Sequence, residues 1–133
     1  MPALNFMKRF VPMVAAGEKT HSIRATRRRS WSVGDNLALY TGMRQKGCTL
    51  IGRTSVIKAE RITIRNVEGS GLRIAIDGEN LSPDERRNFA RRDGFQDISD
   101  MADFWIDTHG LPFEGDVIHW KYPFELERKD ATV

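Results

Sequence analysis

Five residues within one six-residue segment carry side chains that can take part in chemistry: Lys19, Thr20, His21, Ser22 and Arg24. A lysine whose pKa is lowered by burial can act as a general base for a serine hydroxyl, and a compact turn can bring two such residues together. An arginine nearby can bind a phosphate or a carbonyl oxygen through paired N–H donors. The segment predicts a nucleophile with its base, and Thr20 and Arg24 as substrate-binding residues. An ordinary solvent-exposed loop is the alternative interpretation.

A second segment combines positive charge with an aromatic side chain, because Arg27, Arg28 and Arg29 are followed by Trp31. Arginines can neutralise phosphates while an indole stacks on a base, as in proteins that bind single-stranded nucleic acid. These four residues and Tyr40 are therefore candidate substrate-binding residues. Alternatively, Trp31 covers the core just before a turn, and Tyr40 ends a strand and covers the core as well.

Charge is distributed unevenly along the 133 residues, although the formal net charge is only +3. Residues 1–65 hold 13 Lys and Arg against 3 Asp and Glu, whereas residues 66–133 hold 8 against 15. Such asymmetry indicates one face that attracts anions, and it favours a nucleoside or RNA as partner. The alternative is that the two halves interleave in space and neutralise each other.

Hydrophobic periodicity, capping residues and turn residues predict a strand-rich α+β domain with short helices. Ser82-Pro83-Asp84-Glu85 has the pattern of a capping box with proline at the first helical position. Gly17 is expected at the end of the first helix, where a left-handed backbone is needed. The predicted elements are strands at 4–6, 20–24, 36–40, 48–59 with a bend at Gly52, 62–64, 72–76 and 115–122, and helices within 7–16, from 83 to about 93, and from 99 to about 109.

The length fits one domain, predicted at residues 1–126, followed by a flexible tail at residues 127–133. The single cysteine, Cys48, forms no disulfide within the chain and is expected to be a small buried residue. No spacing of Cys and His matches a metal site, and we expect no cofactor. No apolar run has the character of a signal peptide or the length of a membrane span, so we expect a cytoplasmic protein with no membrane partner.

The residues from Phe10 to Arg24, followed by Trp31 to Leu37, resemble the ASCH domain, the activating-signal-cointegrator homology family. Asp93-Gly94-Phe95 is similar to the Glu-Gly-Phe segment of that family. The resemblance extends from Leu4 to about Trp120 and is sharpest in the first third. A stand-alone chain of this length resembles the bacterial and phage members of the family. It implies a PUA-like β-barrel with short flanking helices. The motif is a glycine, a lysine, a hydroxyl residue, an arginine and then a Gly-Asp turn: Gly17, Lys19, Ser22, Arg24 and Gly34-Asp35.

The resemblance also implies an activity, since some bacterial members are amidohydrolases that remove the acyl group from N4-acetylcytidine. Carried over by position, the catalytic residues are Lys19, Ser22 and Asp93. Lys19 would accept the Ser22 proton or make it more acidic, Ser22 would attack the acyl carbon, and Asp93 would protonate the leaving amine. Arg24 would support the oxyanion or hold Asp93 in place.

Two positions depart from the family pattern, because Ser22 replaces a threonine and Asp93 replaces a longer glutamate. Other acids therefore stay open, namely Glu79, Glu85 and Asp97. Two other activities also stay open: a module that binds RNA or a modified nucleotide without chemistry, and a ribonuclease. His21 and His119 have no obvious partner in the sequence, and we expect both to be structural or surface residues.

Overall fold

The computed structural model describes residues 2–68 and 71–125, which form seven strands, three helices and one 3-10 turn. The elements in chain order are β1 (Ala3–Phe6), a 3-10 turn (Lys8–Phe10), α1 (Val11–Ala16), β2 (His21–Ala25), β3 (Asn36–Thr41), β4 (Thr49–Val67), β5 (Gly71–Ile76), β6 (Glu79–Asn80), α2 (Pro83–Arg92), α3 (Ile98–Thr108) and β7 (Phe113–Trp120).

The sheet is organised around β4, which is 19 residues long and pairs with three other strands. Its first part lies antiparallel to β3, and its last part forms a hairpin with β5. Strand β7 pairs along most of the remaining length of β4, and β2 continues the sheet beyond β7. On the other side, β1 continues the sheet beyond β3 as a parallel strand. Strands β1 and β2 are thus outer strands of this sheet.

The expected α+β composition is confirmed, but the sheet is not closed into a barrel. Among the described residues, β1 pairs only with β3 and β2 pairs only with β7, so no strand pairing joins β1 to β2. Aromatic side chains of α3, including Phe104 and Trp105, line a cavity with residues of both strands. The opening between β1 and β2 therefore holds side chains rather than a ladder of backbone hydrogen bonds.

One contiguous cluster of buried side chains fills the space between the sheet and the helices. Strand β4 contributes Val56, Ile62 and Ile64, while α3 contributes Met101 and Trp105. Such a core fixes the positions of α2 and α3 against the sheet. No helix in the described part of the chain is long and apolar enough to cross a membrane.

Most predicted elements are present, with differences at their ends. The runs expected at 48–59 and 62–64 are one continuous strand, and the short strand β6 was not predicted. Helix α3 begins one residue before Ser99, because the Asp97 side chain accepts a hydrogen bond from the Asp100 backbone N–H and caps it. Cys48 is exposed rather than buried, since it precedes the strand instead of lying within it. The tail predicted at residues 127–133 lies outside the described residues.

Candidate active site

The end of helix α1 directs Lys19 into the interior. Gly17 adopts a left-handed backbone with a φ of 78°, as expected from its position after the helix. The backbone N–H groups of Glu18 and Lys19 then donate to the carbonyl of Met13, at 2.9 and 3.1 Å. This reversal of the chain leaves the Lys19 side chain only 3% exposed.

The end of helix α2 brings Asp93 to the same place. The helix begins at the expected capping box, in which Ser82 and Glu85 exchange side-chain to backbone hydrogen bonds. It ends at Arg92, and the Asp93 N–H still donates to the carbonyl of Phe89. Gly94, with a φ of 103°, then turns the chain. Asp93 is only 4% exposed, and its side chain contacts Lys19 inside the protein.

Lys19 and Asp93 form a buried ion pair. The Lys19 Nζ donates to Asp93 Oδ1 at 2.6 Å and also to the Asp93 backbone carbonyl at 2.6 Å. Two buried charges are stable only when each compensates the other and the remaining hydrogen-bonding groups are satisfied. The pair thus joins two residues that lie 74 positions apart in the sequence, each just beyond the end of a helix.

Burial and charge act in opposite directions on both members of the pair. Burial lowers the pKa of Lys19, and the attraction of Asp93 only partly offsets this effect. For Asp93, burial acts to raise the pKa, but the charge and hydrogen bonds of Lys19, together with the nearby His21, outweigh it and hold the pKa below its ordinary value. Asp93 is therefore a carboxylate at neutral pH, next to an ammonium group that gives up its proton more readily than a lysine in water.

Ser22 and Arg24 lie beside this pair on strand β2. Residues two apart on a strand point to the same side, and both side chains face one cavity. The Arg24 Nε donates to Ser22 Oγ at 3.0 Å, and its Nη2 donates to the carbonyl of Asn5 on β1 at 2.9 Å. Burial lowers the pKa of Arg24 to about 10, although Asp93 acts to raise it, and the guanidinium stays charged at neutral pH. In the described part of the chain, no hydrogen bond joins Lys19 to Ser22, although both line the cavity.

The cavity between β1 and β2 has a volume of about 270 Å³. One wall is polar and carries the four residues already described, while the others are mainly aromatic. The buried indole N–H of Trp105 has no hydrogen-bond partner among the described residues. The His109 ring is tilted against the Trp105 ring with centroids 4.5 Å apart, and burial, followed by the charge of Arg24, lowers the pKa of His109. The aromatic residues that line the cavity are Phe6, Phe10, Phe95, Phe104, Trp105, His109 and Phe113.

The other predicted substrate-binding residues lie away from this cavity. Arg28 and Arg29 are exposed in the segment between β2 and β3. The guanidinium of Arg27 lies 3.5 Å from the centroid of the Trp31 ring, and Trp31 packs against the core. Tyr40 is half-buried on β3 and does not line the cavity.

Thr20 is separate from the other motif residues, because it lines a second cavity on the opposite side of β2. The three alternative acids are also elsewhere. Glu79 is exposed on β6, while Glu85 caps α2 and Asp97 caps α3. Asp93 is the one of the four carboxylates that reaches Lys19.

The sequence interpretation missed His21, which is buried and in contact with the ion pair. Its Nε2 lies 3.2 Å from Asp93 Oδ1, and its ring stacks on Phe89 with centroids 4.9 Å apart. The available signal was the alternation of β2: since Ser22 faces the cavity, His21 must face the other side of the strand. Neither that alternation nor the motif reveals that Asp93 lies within reach.

No protein-family model, curated protein or solved structure matches this sequence. The geometry of the site and the motif residues are therefore the features that indicate a function.

Proposed function

We propose that the chain is an ASCH-type, PUA-like amidohydrolase that removes the acyl group from N4-acylated cytidine. The observation that carries the proposal is the buried Lys19–Asp93 pair, which shares a cavity with the hydroxyl of Ser22. In this interpretation the opening between β1 and β2 is the substrate entrance of an incompletely closed PUA-like barrel. A lysine, a hydroxyl and a carboxylate in one enclosed space are the groups that an acyl transfer needs.

The size and lining of the cavity favour a single nucleoside. Ligand pockets commonly have volumes of about 300–1,000 Å³, so a cavity of about 270 Å³ suits a small molecule better than a polymer. Its aromatic walls suit a planar base, which gains from stacking. A pyrimidine with an acylated exocyclic amine offers both a flat ring and a carbonyl carbon for attack.

Acylation begins when Ser22 Oγ attacks the acyl carbon. The Ser22 proton passes to Lys19 Nζ, which gives one of its own protons to Asp93 Oδ1 across the existing hydrogen bond of 2.6 Å. The C–N bond then breaks, and the proton returns from Asp93 through Lys19 to the leaving cytidine nitrogen. Arg24 already donates to Ser22 Oγ, which stabilises negative charge on that oxygen, and in this mechanism it also stabilises the oxyanion that forms on the acyl group.

Deacylation uses the same groups, with water as the nucleophile and Ser22 Oγ as the leaving group. Water attacks the acyl carbon, its proton passes through Lys19 to Asp93, and Ser22 recovers a proton as the C–Oγ bond breaks. The products are cytidine and a carboxylic acid, which ionises at neutral pH and leaves one proton to be released in each turnover.

The test is hydrolysis of N4-acetylcytidine by the purified chain, followed by the absorbance change as cytidine forms. We expect turnover by the wild type and a loss of about a thousandfold or more in Ser22→Ala. Ser30→Ala, at an exposed position outside the cavity, is the matched control and should retain the wild-type rate. A folded wild-type chain without turnover would contradict the proposal.

A second candidate function is RNA binding without chemistry, favoured by the exposed Arg28 and Arg29. The guanidinium of Arg27 covers the Trp31 ring, so a base would have to displace it in order to stack there. This candidate predicts RNA affinity that falls steeply with salt and is lost in Arg28→Gln/Arg29→Gln. Cleavage of unmodified RNA in the same incubation would instead support the ribonuclease alternative.

A further inference from the structure

His21 separates two cavities. On one side its Nε2 faces Asp93 Oδ1, and Asp93 lines the first cavity. On the other side the ring lines a second cavity of about 490 Å³, together with residues of β4, β7 and α2. The Nε2 atom is buried and, among the residues that the structure describes, has no hydrogen-bond partner in good alignment, although it lies 3.2 Å from the carboxylate. His21 is thus the side chain between the ion pair and the second cavity.

Three neighbouring strands place a row of titratable side chains across the second cavity. His21 on β2 is the register partner of His119 on β7, which is in turn the partner of Lys58 on β4. The two imidazole rings have centroids 5.2 Å apart. The His119 Nε2 lies 2.7 Å from Glu60 Oε1, and Glu60 is also 3.3 Å from the Lys58 Nζ. The row leads from the buried carboxylate to half-buried groups at the cavity wall.

The proposed reaction needs such a route. Each turnover leaves one proton when the carboxylic acid product ionises, and this happens in a cavity that already holds Lys19 and Arg24 as cations. A substrate or product in the first cavity blocks direct access of water to the ion pair. A substrate in the first cavity leaves the second cavity unfilled, because the two have no lining residue in common.

We propose that His21 carries protons between Asp93 and the second cavity, with His119 and Glu60 as the next acceptors. The inference rests on the proposed hydrolase activity. The carboxylic acid product gives its proton through Lys19 to Asp93. Asp93 passes the proton to an unprotonated His21 Nε2, and His21 Nδ1 releases a proton to water or to His119. Exchange with water in the second cavity then removes the proton from Nε2 and returns one to Nδ1, which restores the starting tautomer. No bond other than N–H and O–H changes in these steps.

The groups that face the two rings suit this direction of transfer. His21 faces Asp93, which follows α2 and is paired with Lys19. It also faces His119 on β7. Burial lowers the pKa of His119, and Glu60 raises it only in part, so His119 is neutral around pH 7 and is able to accept a proton.

The first test measures proton exchange without any turnover. In protein labelled with ¹⁵N-lysine, solvent exchange of the Lys19 Nζ hydrogens reports how fast protons leave the ion pair. We expect exchange to slow by about tenfold in His21→Gln, which keeps a polar side chain next to Asp93 but cannot take up and release a proton. His21→Ala should also be slow, and free imidazole should restore its exchange. Unchanged exchange in His21→Gln, in a variant shown to be folded, would overturn the relay.

The second test uses N4-acetylcytidine and separates the relay from the reaction. We expect His21→Gln to lower kcat by about tenfold with little change in KM, and imidazole to restore kcat in His21→Ala. An unchanged kcat would overturn the relay while leaving the hydrolase intact. Slow exchange in the variants of a chain that hydrolyses nothing would support the proton route and overturn the proposed activity.

Discussion

Lys19 and Asp93 bury opposite charges, and neither is stable there without the other. Removing one partner of a buried pair typically costs about 3–5 kcal/mol, because the remaining charge is left uncompensated. The second Lys19 hydrogen bond, to the Asp93 carbonyl, adds to the coupling. At the scale of single residues, the pair serves both the stability of the fold and the chemistry that we propose.

The coupling can be measured with Lys19→Met, Asp93→Asn and the double variant. We expect Asp93→Asn alone to lower the free energy of unfolding by about 3 kcal/mol, and the double variant to lose less than the two single losses together. Urea denaturation at pH 7 gives the free energy of unfolding of the wild type and of the three variants. Additive losses would show that the two side chains are not coupled.

Stability should also depend on pH through Asp93. Its pKa in the folded chain lies below the ordinary value of 3.8, since Lys19 and His21 outweigh the effect of burial. The stabilisation is therefore complete above about pH 4 and is lost as the pH falls through the lower pKa of the folded state. Urea denaturation between pH 2 and pH 7 should show a steeper loss for the wild type than for Asp93→Asn. Parallel curves would contradict this assignment.

The sequence is informative about some site residues and silent about others. Lys19, Ser22 and Arg24 were predicted from spacing, because a short segment places them close together whatever the fold. Asp93 was predicted only through resemblance, since its contact with Lys19 spans 74 residues. The contact of His21 with Asp93 depends on how α2 packs against β2, and no local pattern encodes that packing.

At the scale of elements, the end of α1 is tightly constrained, because Gly17 must reverse the chain while lying against the ring of Tyr122. A Cβ at position 17 would collide with Tyr122, whose hydroxyl donates to the carbonyl of Ala15 at 3.2 Å. The glycine therefore meets two requirements, a positive φ and a close approach. Both are needed to direct Lys19 inward.

A pair of glycine variants separates these requirements. Gly110 has a φ of 79°, close to the 78° of Gly17, but nothing lies within 4 Å of a Cβ built there. We expect Gly110→Ala to cost about 1 kcal/mol from backbone strain alone, and Gly17→Ala to cost clearly more. Thermal unfolding of the two variants measures the difference. Equal losses would show that Tyr122 does not constrain this turn.

Elements bounded by local signals were predicted well. The capping box at Ser82 and the glycines that follow the helices placed α1 and α2 closely. Strand β4 was predicted as two strands, 48–59 with a bend at Gly52 and 62–64, but it is continuous. Its pairing with β3 shifts register next to Gly52, where a Cβ would also collide with the ring of Phe124. The glycine there permits close packing, which only the tertiary structure reveals.

For the whole molecule, the charge asymmetry of the sequence does not coincide with the cavity. The exposed Arg28 and Arg29 do not line it, and its cations Lys19 and Arg24 have partners inside the protein. Likewise, strand propensities predicted the β-rich composition but not the opening between β1 and β2. That opening depends on long-range pairing and on which side chains fill the space.

This arrangement predicts a preference for free nucleosides. Because the cavity is only about 270 Å³ and Arg27, Arg28 and Arg29 do not line it, the chain should hydrolyse N4-acetylcytidine at least about tenfold more efficiently than the same base within an oligonucleotide. Turnover of the nucleoside should also change little between about 50 and about 500 mM NaCl, because salt screens interactions between charges and the nucleoside is uncharged. Steady-state kinetics on both substrates measure the ratio. A preference for the oligonucleotide that disappears with salt would indicate RNA as the partner.

The most direct test of the account compares N4-acetylcytidine hydrolysis by the wild type and by Lys19→Met, which keeps a chain of similar length without the amine. Circular dichroism establishes that the variant is folded before its rate is compared. The account predicts measurable kcat for the wild type and a loss of about a thousandfold or more in the variant. A folded Lys19→Met protein that retains the wild-type rate would contradict the central role of the Lys19–Asp93 pair.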